Sequence, residues 1–286
     1  MTPDLSVTRE PGLFEFHGHP FAEQGGAKGW LARSQNFLIE WAEAARPEAV
    51  VDVASEEETI VLVFGAPAQM SAGTASVQAP ARSVCILPPG RSSIRLTAQG
   101  ACAVLATQRT DLAGRRAFNE DHFIVPDPRI APCTPAFVRK HVRAAIQVVP
   151  IDSFDAPASN PRLKMLQSAT LSINWVEYDG LRDRRALSPH SHADLEQASL
   201  GVAGHFVHHL RERWGKNAEL WREDLHVELA PPSLMVVPIN LIHTSEGVRH
   251  EHHLLIDIFS PPRRDFIAKG WVENASDYRD PKATPG

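Results

Sequence analysis

Cysteine is scarce: three in 286 residues, Cys85, Cys102 and Cys133, with no CxxC spacing among them. An odd set spaced this way excludes a disulfide framework and offers no thiolate zinc site, so a reducing compartment is expected. No apolar run approaches the roughly 18 residues needed to cross a bilayer. The opening MTPDLSVTREPGLFEF lacks the basic stretch followed by an apolar one that marks a secretion signal. The expectation is a cytoplasmic protein with no membrane partner, and the Asn-Ala-Ser triplet at Asn274 then reads as a polar turn rather than a glycosylation site. Long basic runs are missing as well. With a formal net charge of −5, the chain has no surface suited to tracking phosphates, which excludes a nucleic-acid partner.

What is present reads as a soluble globular chain, 43% hydrophobic and 22% charged. The length suits two domains of about 100 to 150 residues each. The apolar segments are short: NFLIEW, TIVLVF, SVCILP and CAVLAT, then ATLSINW, SLMVVP and HLLIDIF. Bounded by Gly, Pro and Asn and rich in β-branched residues, they predict strands and a mostly β fold. A helix is expected in AFVRKHVRAAIQ, over 136–147, where Phe137, Val138, Val142, Ala145 and Ile146 fall near a 3.6-residue period. It would form a short helical connector between two strand-rich blocks.

Those blocks repeat each other. Ile39-x-Trp41-x-Glu43 matches Ile173-x-Trp175-x-Glu177, and Val51-x-Val53-x3-Glu57-x7-Gly65 matches His190-x-His192-x3-Glu196-x7-Gly204. Pro88-x-Gly90-x2-Ser93 falls on Pro238-x-Asn240-x2-His243. Three matches in register favour duplication of one β domain; the alternative is a single large β-sandwich. In the second copy, His190 and His192 would share a strand face, about 7 Å apart along the chain. Gly204 allows the positive φ of a hairpin bend that turns Glu196 to the same interior, and Asn240 tolerates the left-handed turn that presents His243. Three neutral imidazoles and a carboxylate suit one divalent ion, namely iron(II), manganese, nickel, cobalt or zinc, with two positions left open on an octahedral ion.

The segment from His190 to His243 resembles the paired motifs of the cupin superfamily, HxH-x3-4-E-x6-G followed by PxG-x2-H, and the two repeats make the chain resemble a bicupin. LLIDIFSPPRRDF, over 254–266, resembles the closing strand and exit turn of small-molecule cupins. The resemblance implies two jelly-roll barrels in tandem and the metal ligands His190, His192, Glu196 and His243. Glu196 is followed by seven residues before Gly204 rather than six, and Gln197 stands where the acid falls in the longer motif variant; Glu196 is the ligand expected here. The division expected is an arm over 1–30, barrel one over 31–110, a connector over 111–160, barrel two over 161–268 and a tail over 269–286.

In the first repeat Val51, Val53 and Ser93 replace the three histidines and only Glu57 remains, so that barrel is expected to be metal-free. The look-alike His17-x-His19-x3-Glu23 precedes the first strand, carries Pro20 and is followed by no distal histidine. It reads as a surface arm or an edge covering one barrel. His205, His208 and His209 alternate along one strand, and His250, His252 and His253 fall in a polar loop; His252 and His253 are weak candidates for an acid or base. Trp175, Phe206 and Met235 are expected in the core and pocket wall. Arg263 and Arg264 lie in an exit turn, or else grip a substrate carboxylate. What the resemblance implies for function is a metal-dependent enzyme acting on a small molecule, foremost an iron(II) dioxygenase. Isomerase or lyase chemistry and a non-catalytic binder are the alternatives, and a homodimer is the assembly implied.

Overall fold

The structure, a computed structural model, describes residues 9–112, 114–134, 137–140 and 145–282. The strand Thr59–Phe64 is buried at all six positions, so both of its faces need apolar partners. Ile60, Leu62 and Phe64 enter one hydrophobic cluster, Val61 and Val63 another. The same split by alternate residues recurs in the neighbouring strands: Ile39, Trp41, Ala103 and Leu105 go to the first cluster, Ala42, Cys102 and Val104 to the second.

Two large antiparallel sheets result. One has seven strands in the order Gln147–Pro150, Ser83–Leu87, Thr59–Phe64, Ala101–Ala106, Leu38–Ala44, Ala27–Arg33, Ala22–Gln24. The other has six, in the order Gly12–Glu15, Ser233–Val237, Glu196–Ala203, His252–Ser260, Ser172–Asp179, Leu163–Gln167. Ile39, Trp41, Ile60, Leu62 and Phe64 of the first share a cluster with Ile173, Trp175, Leu200, Leu254 and Ile256 of the second, so the two sheets pack face to face. Each sheet turns its other face to a smaller one. The seven-stranded sheet closes on four strands, Ala49–Ser55, Gly90–Leu96, Ala68–Ala72 and Ala75–Ala79. The six-stranded sheet closes on three, Leu225–Leu229, Phe206–Arg211 and Ile242–Gly247.

The sequence repeat is a structural repeat. Trp41 Nε1 donates to Glu43 Oε1 at 2.7 Å and Trp175 Nε1 to Glu177 Oε2 at 3.1 Å. The Phe64 ring lies between the two indoles, 5.5 Å from each centroid. Gly65 and Gly204 have φ of 73° and 82°, and at the matched later turns Gly90 and Asn240 have 113° and 66°. The edge strands are exchanged: Gly12–Glu15 of the N-terminal arm pairs with Ser233–Val237 of the second barrel, while Gln147–Pro150 of the connector pairs with Ser83–Leu87 of the first.

The helix expected over 136–147 is corrected in its described part. Val138–Arg139 is a short strand pairing with Tyr278–Arg279, and Gln147 opens the strand already named. The β-branched Val138 and the sheet edge offered by Tyr278 override the helical spacing; residues 136 and 141–144 lie outside the described residues. The connector does contain 3-10 turns at Glu120–Phe123 and Ile151–Ser153. No described helix is long and apolar enough to cross a membrane.

Trp175 is 1% exposed at the centre of the inter-barrel core. Trp175→Ala is expected to lower the unfolding free energy by about 3–5 kcal/mol, read by urea denaturation; a loss within ~0.5 kcal/mol would contradict this placement.

Candidate metal centre

The segment holding His190 and His192 is irregular, not the strand expected, and is tied to the later motif by its backbone. His190 N–H donates to His243 O at 3.1 Å, His243 N–H to His190 O at 2.8 Å, and Asn240 N–H to His192 O at 2.7 Å. The left-handed Asn240 makes the last of these, as the turn reading required. The three imidazoles converge: their centroids are 5.0 Å (His190 to His192), 4.4 Å (His190 to His243) and 5.5 Å (His192 to His243) apart. One nitrogen from each lies within 4.8 Å of the others. His243 is buried, His192 half-buried and His190 exposed.

Backbone carbonyls fix two of the tautomers. His190 Nδ1 lies 2.9 Å from Ser188 O, and His243 Nδ1 lies 3.0 Å from Leu241 O. Each Nδ1–H is therefore the donor, which leaves Nε2 as a lone pair. His243 Nε2 lies 3.0 Å from Gln197 Oε1, itself an acceptor. The Gln197 amide cannot turn round, because its nitrogen faces Asp257 Oδ1 at 3.1 Å and Ser199 Oγ at 3.4 Å. His192 Nε2 is buried with no hydrogen-bond partner. Lone pairs aimed at one another with no proton between them are costly unless a cation joins them. The residues fit a divalent ion.

Glu196 is not part of this cluster. It shares a strand face with Ala198 and Leu200, which point at the first barrel, and its carboxylate accepts the Gln35 and Asn36 N–H groups at 2.5 and 2.9 Å. Gln197, one residue on, faces the interior, and from Gln197 to Gly204 the motif spacing is the regular six. Glu58 does in the first barrel what Glu196 does in the second: it accepts the Ala169 N–H of the other barrel at 2.9 Å, besides Arg139 and the Tyr278 hydroxyl. Gln35 and Ala169 hold equivalent places, four residues before Ile39 and Ile173. The acid kept in both repeats is thus a cross-barrel anchor. The structural counterpart of Glu196 in the first barrel is Glu58, one residue beyond the Glu57 that the sequence repeat aligns with it. In the first barrel, Val51 pairs directly with Ile94 where His190 meets His243, so Ile94 rather than Ser93 is the counterpart, and both are packed in an apolar interior.

The second barrel holds a cavity of about 240 Å³ bordered by His190, His243, Gln197, Ser199, Asn174 and Asp257. Trp175, expected in its wall, points to the opposite sheet face. Phe206 packs against Tyr178 and His253, and Met235 against Leu210, Val237 and Leu241; neither borders the cavity. Phe259, Phe266 and Trp271 supply its aromatic wall instead. His252 and His253 open the strand His252–Ser260 and are not in a loop. His252 pairs with Glu177 and Asp179 at 3.0 and 2.9 Å, and His253 is buried against the Tyr178 ring, 5.1 Å away. Neither reaches the cavity wall. His17 pairs with Glu43 at 2.9 Å and the His19 ring stacks on Phe118 at 4.1 Å, so the look-alike motif is part of the arm's packing.

Loss of water governs the charges here. Burial, reinforced by neighbouring positive groups, holds His192 down to about 4 and His243 to about 3. His208, hydrogen-bonded to Ser245 Oγ at 2.8 Å, is held to about 4 by burial, then by His209. Burial raises the Asp257 carboxyl above its ordinary range, against the lowering effect of the Ser199 hydroxyl.

No family model matches the chain, and no curated protein matches it by sequence. Solved structures do match by shape. AerE from Microcystis aeruginosa aligns over 90% of this chain and 100% of its own, at 10% identity and a TM-score of 0.56. Lactobacillus farciminis oxalate decarboxylase, in a formate complex, aligns over 88% of this chain and 86% of its own, at 12% identity and 0.59. The 7S globulin of Momordica charantia aligns over 88% and 84%, at 14% and 0.55. The chain has the bicupin fold, two cupin barrels in tandem, as its motifs led one to expect. A fold shared by a decarboxylase and a globulin leaves the reaction to the site itself.

A histidine held below its ordinary value stays neutral in the fold while the unfolded chain takes up the proton. Its stabilisation is therefore complete above about pH 6.5 and is lost as the pH falls towards the folded value. Compared with His208→Asn, the wild-type protein should lose stability relative to the variant between pH 6.5 and 4, measured by urea denaturation at each pH. A difference that stays flat or widens on acidification would contradict the neutral, buried His208.

Proposed function

We propose that the protein is a metal-dependent cupin enzyme acting on a small organic molecule, with His190, His192 and His243 holding one divalent transition ion. The observation that supports this most is the convergence of three imidazole lone pairs, two of them fixed by backbone carbonyls, beside a polar cavity. Iron(II) and dioxygenase chemistry are the reading taken; manganese, nickel, cobalt and zinc suit the same donors. A cytoplasmic homodimer completes the proposal.

When bound, such an ion supplies Lewis acidity at open coordination positions and, as iron, redox capacity. The chain's own residues do the rest. Gln197 presents a neutral amide oxygen to the cluster and is held in that orientation by Asp257 and Ser199. Phe259, Phe266 and Trp271 in the cavity wall give an apolar surface for a substrate to pack against. Isomerase or lyase chemistry is the second reading. Asp257, the acid in the cavity wall, favours it, since it is placed to exchange a proton with a substrate there.

Metal analysis of the purified protein by mass spectrometry, before and after iron(II) loading, tests the site. One ion per chain is expected, lost in His190→Ala and His243→Ala and retained in Glu196→Ala. Oxygen uptake with diketones, catechols and hydroxy acids then tests the reaction. Turnover without oxygen uptake selects the second reading, and an ion that depends on Glu196 but not on His243 would overturn the site.

A further inference from the structure

Three arginines stand in the wall of the cavity that His190 and His243 border: Arg162, Arg182 and Arg263. Arg263 is neutralised by Asp265, at 2.7 and 2.6 Å. Arg162 and Arg182 are half-buried and form no ion pair with any carboxylate among the described residues. Arg182 Nη2 donates one side-chain hydrogen bond, to Ala186 O at 3.3 Å. The Arg162 guanidinium lies over the Tyr178 ring, 5.8 Å from its centroid, and Arg182 lies 5.6 Å from the same ring. The ring is itself fixed, since the Tyr178 hydroxyl accepts the Gly247 N–H at 3.0 Å.

Among the described residues the one acid in the cavity wall, Asp257, forms no ion pair with either of these two cations. Asp257 is committed to Ser199 Oγ at 2.6 Å and to the Gln197 amide at 3.1 Å. With glutamine rather than glutamate at position 197, the site contributes no further negative charge. The cavity is therefore cationic before any metal enters it. A guanidinium drawn partly out of water without an acid is costly, and its planar fork matches a carboxylate. The remaining wall is apolar at Leu163, Val176, Leu255, Phe259 and Trp271. A cavity of 240 Å³ has room for about eight waters, the scale of one substituted ring or a short oxo acid.

We infer that Arg162 and Arg182 clamp the carboxylate of the substrate, which is a small organic acid with an apolar or aromatic body whose other end is turned towards the three imidazoles. This rests on the proposed metal site for the far end of the ligand, while the clamp is tested apart from it.

The probes are benzoate and pyruvate, each paired with its uncharged amide and titrated calorimetrically into iron-loaded wild-type protein and into metal-free His190→Ala protein. Each acid should bind at least about ten-fold tighter than its amide in both proteins. Arg162→Gln and Arg182→Gln should each weaken acid binding about ten-fold and leave amide binding unchanged. If acid binding vanishes in His190→Ala yet survives both arginine substitutions, the acid sits on the ion: the clamp is wrong and the metal site stands. If binding depends on the arginines in both proteins while no ion is ever retained, the clamp stands and the metal reading falls. Equal binding of acid and amide, or no binding of either acid, overturns the inference.

Discussion

Alternation of side chains across the strand Glu196–Ala203 is the constraint on which the rest of the structure depends. One face carries Glu196, Ala198 and Leu200 into the contact with the first barrel; the other carries Gln197 and Ser199 into the cavity. Period-two geometry permits no compromise, since a slip of one residue would exchange the two sets. It would bury the amide among leucines and put the anchoring carboxylate beside the histidines. The paired N–H groups of Gln35 and Asn36 hold the strand against that slip, and Glu58 secures the reciprocal contact from the other side.

Duplication explains how a polar interior is tolerated. The first barrel is filled with Val51, Val53, Val61, Met70, Ile94 and Leu96 and has little room for a ligand. The second encloses Asn174, Ser199, Asp257 and His243, groups that contribute little hydrophobic stabilisation and must find partners. The shared core around Trp41, Phe64 and Trp175 offsets that deficit with apolar area drawn from both sheets. The exchanged edge strands tie the two halves further and cover edges that would otherwise stand open. One barrel packs and the other is free to bind.

Much of this was legible in the residues. The mostly β reading followed from short apolar runs, and the repeat from Trp41 and Trp175 with their partner glutamates, which share one hydrogen-bond pattern. The left-handed turn at Asn240 and the bend at Gly204 were anticipated by backbone sterics. The three histidines of the motif meet as the resemblance implied. Less was legible where a choice hung on one residue of register or on a partner far away in sequence. Glu196 could be separated from Gln197 only by asking which of them faces the other barrel. Trp175 looked like a pocket aromatic because the sequence does not say which sheet face is the cavity. His253 seemed exposed in RHEHH, yet Tyr178 and Phe206 enclose it. Asp257 was readable in principle as the one charged residue inside LLIDIFS, on the interior parity of its strand.

The account stands or falls on three imidazoles sharing one cation. X-ray absorption spectroscopy of the iron-loaded protein reads that directly, because outer-shell scattering from imidazole rings counts the histidines around the metal. Three rings with light oxygen donors, unchanged in Glu196→Ala, are predicted. A spectrum with fewer than two rings, or one that loses a carboxylate when Glu196 is removed, would contradict it.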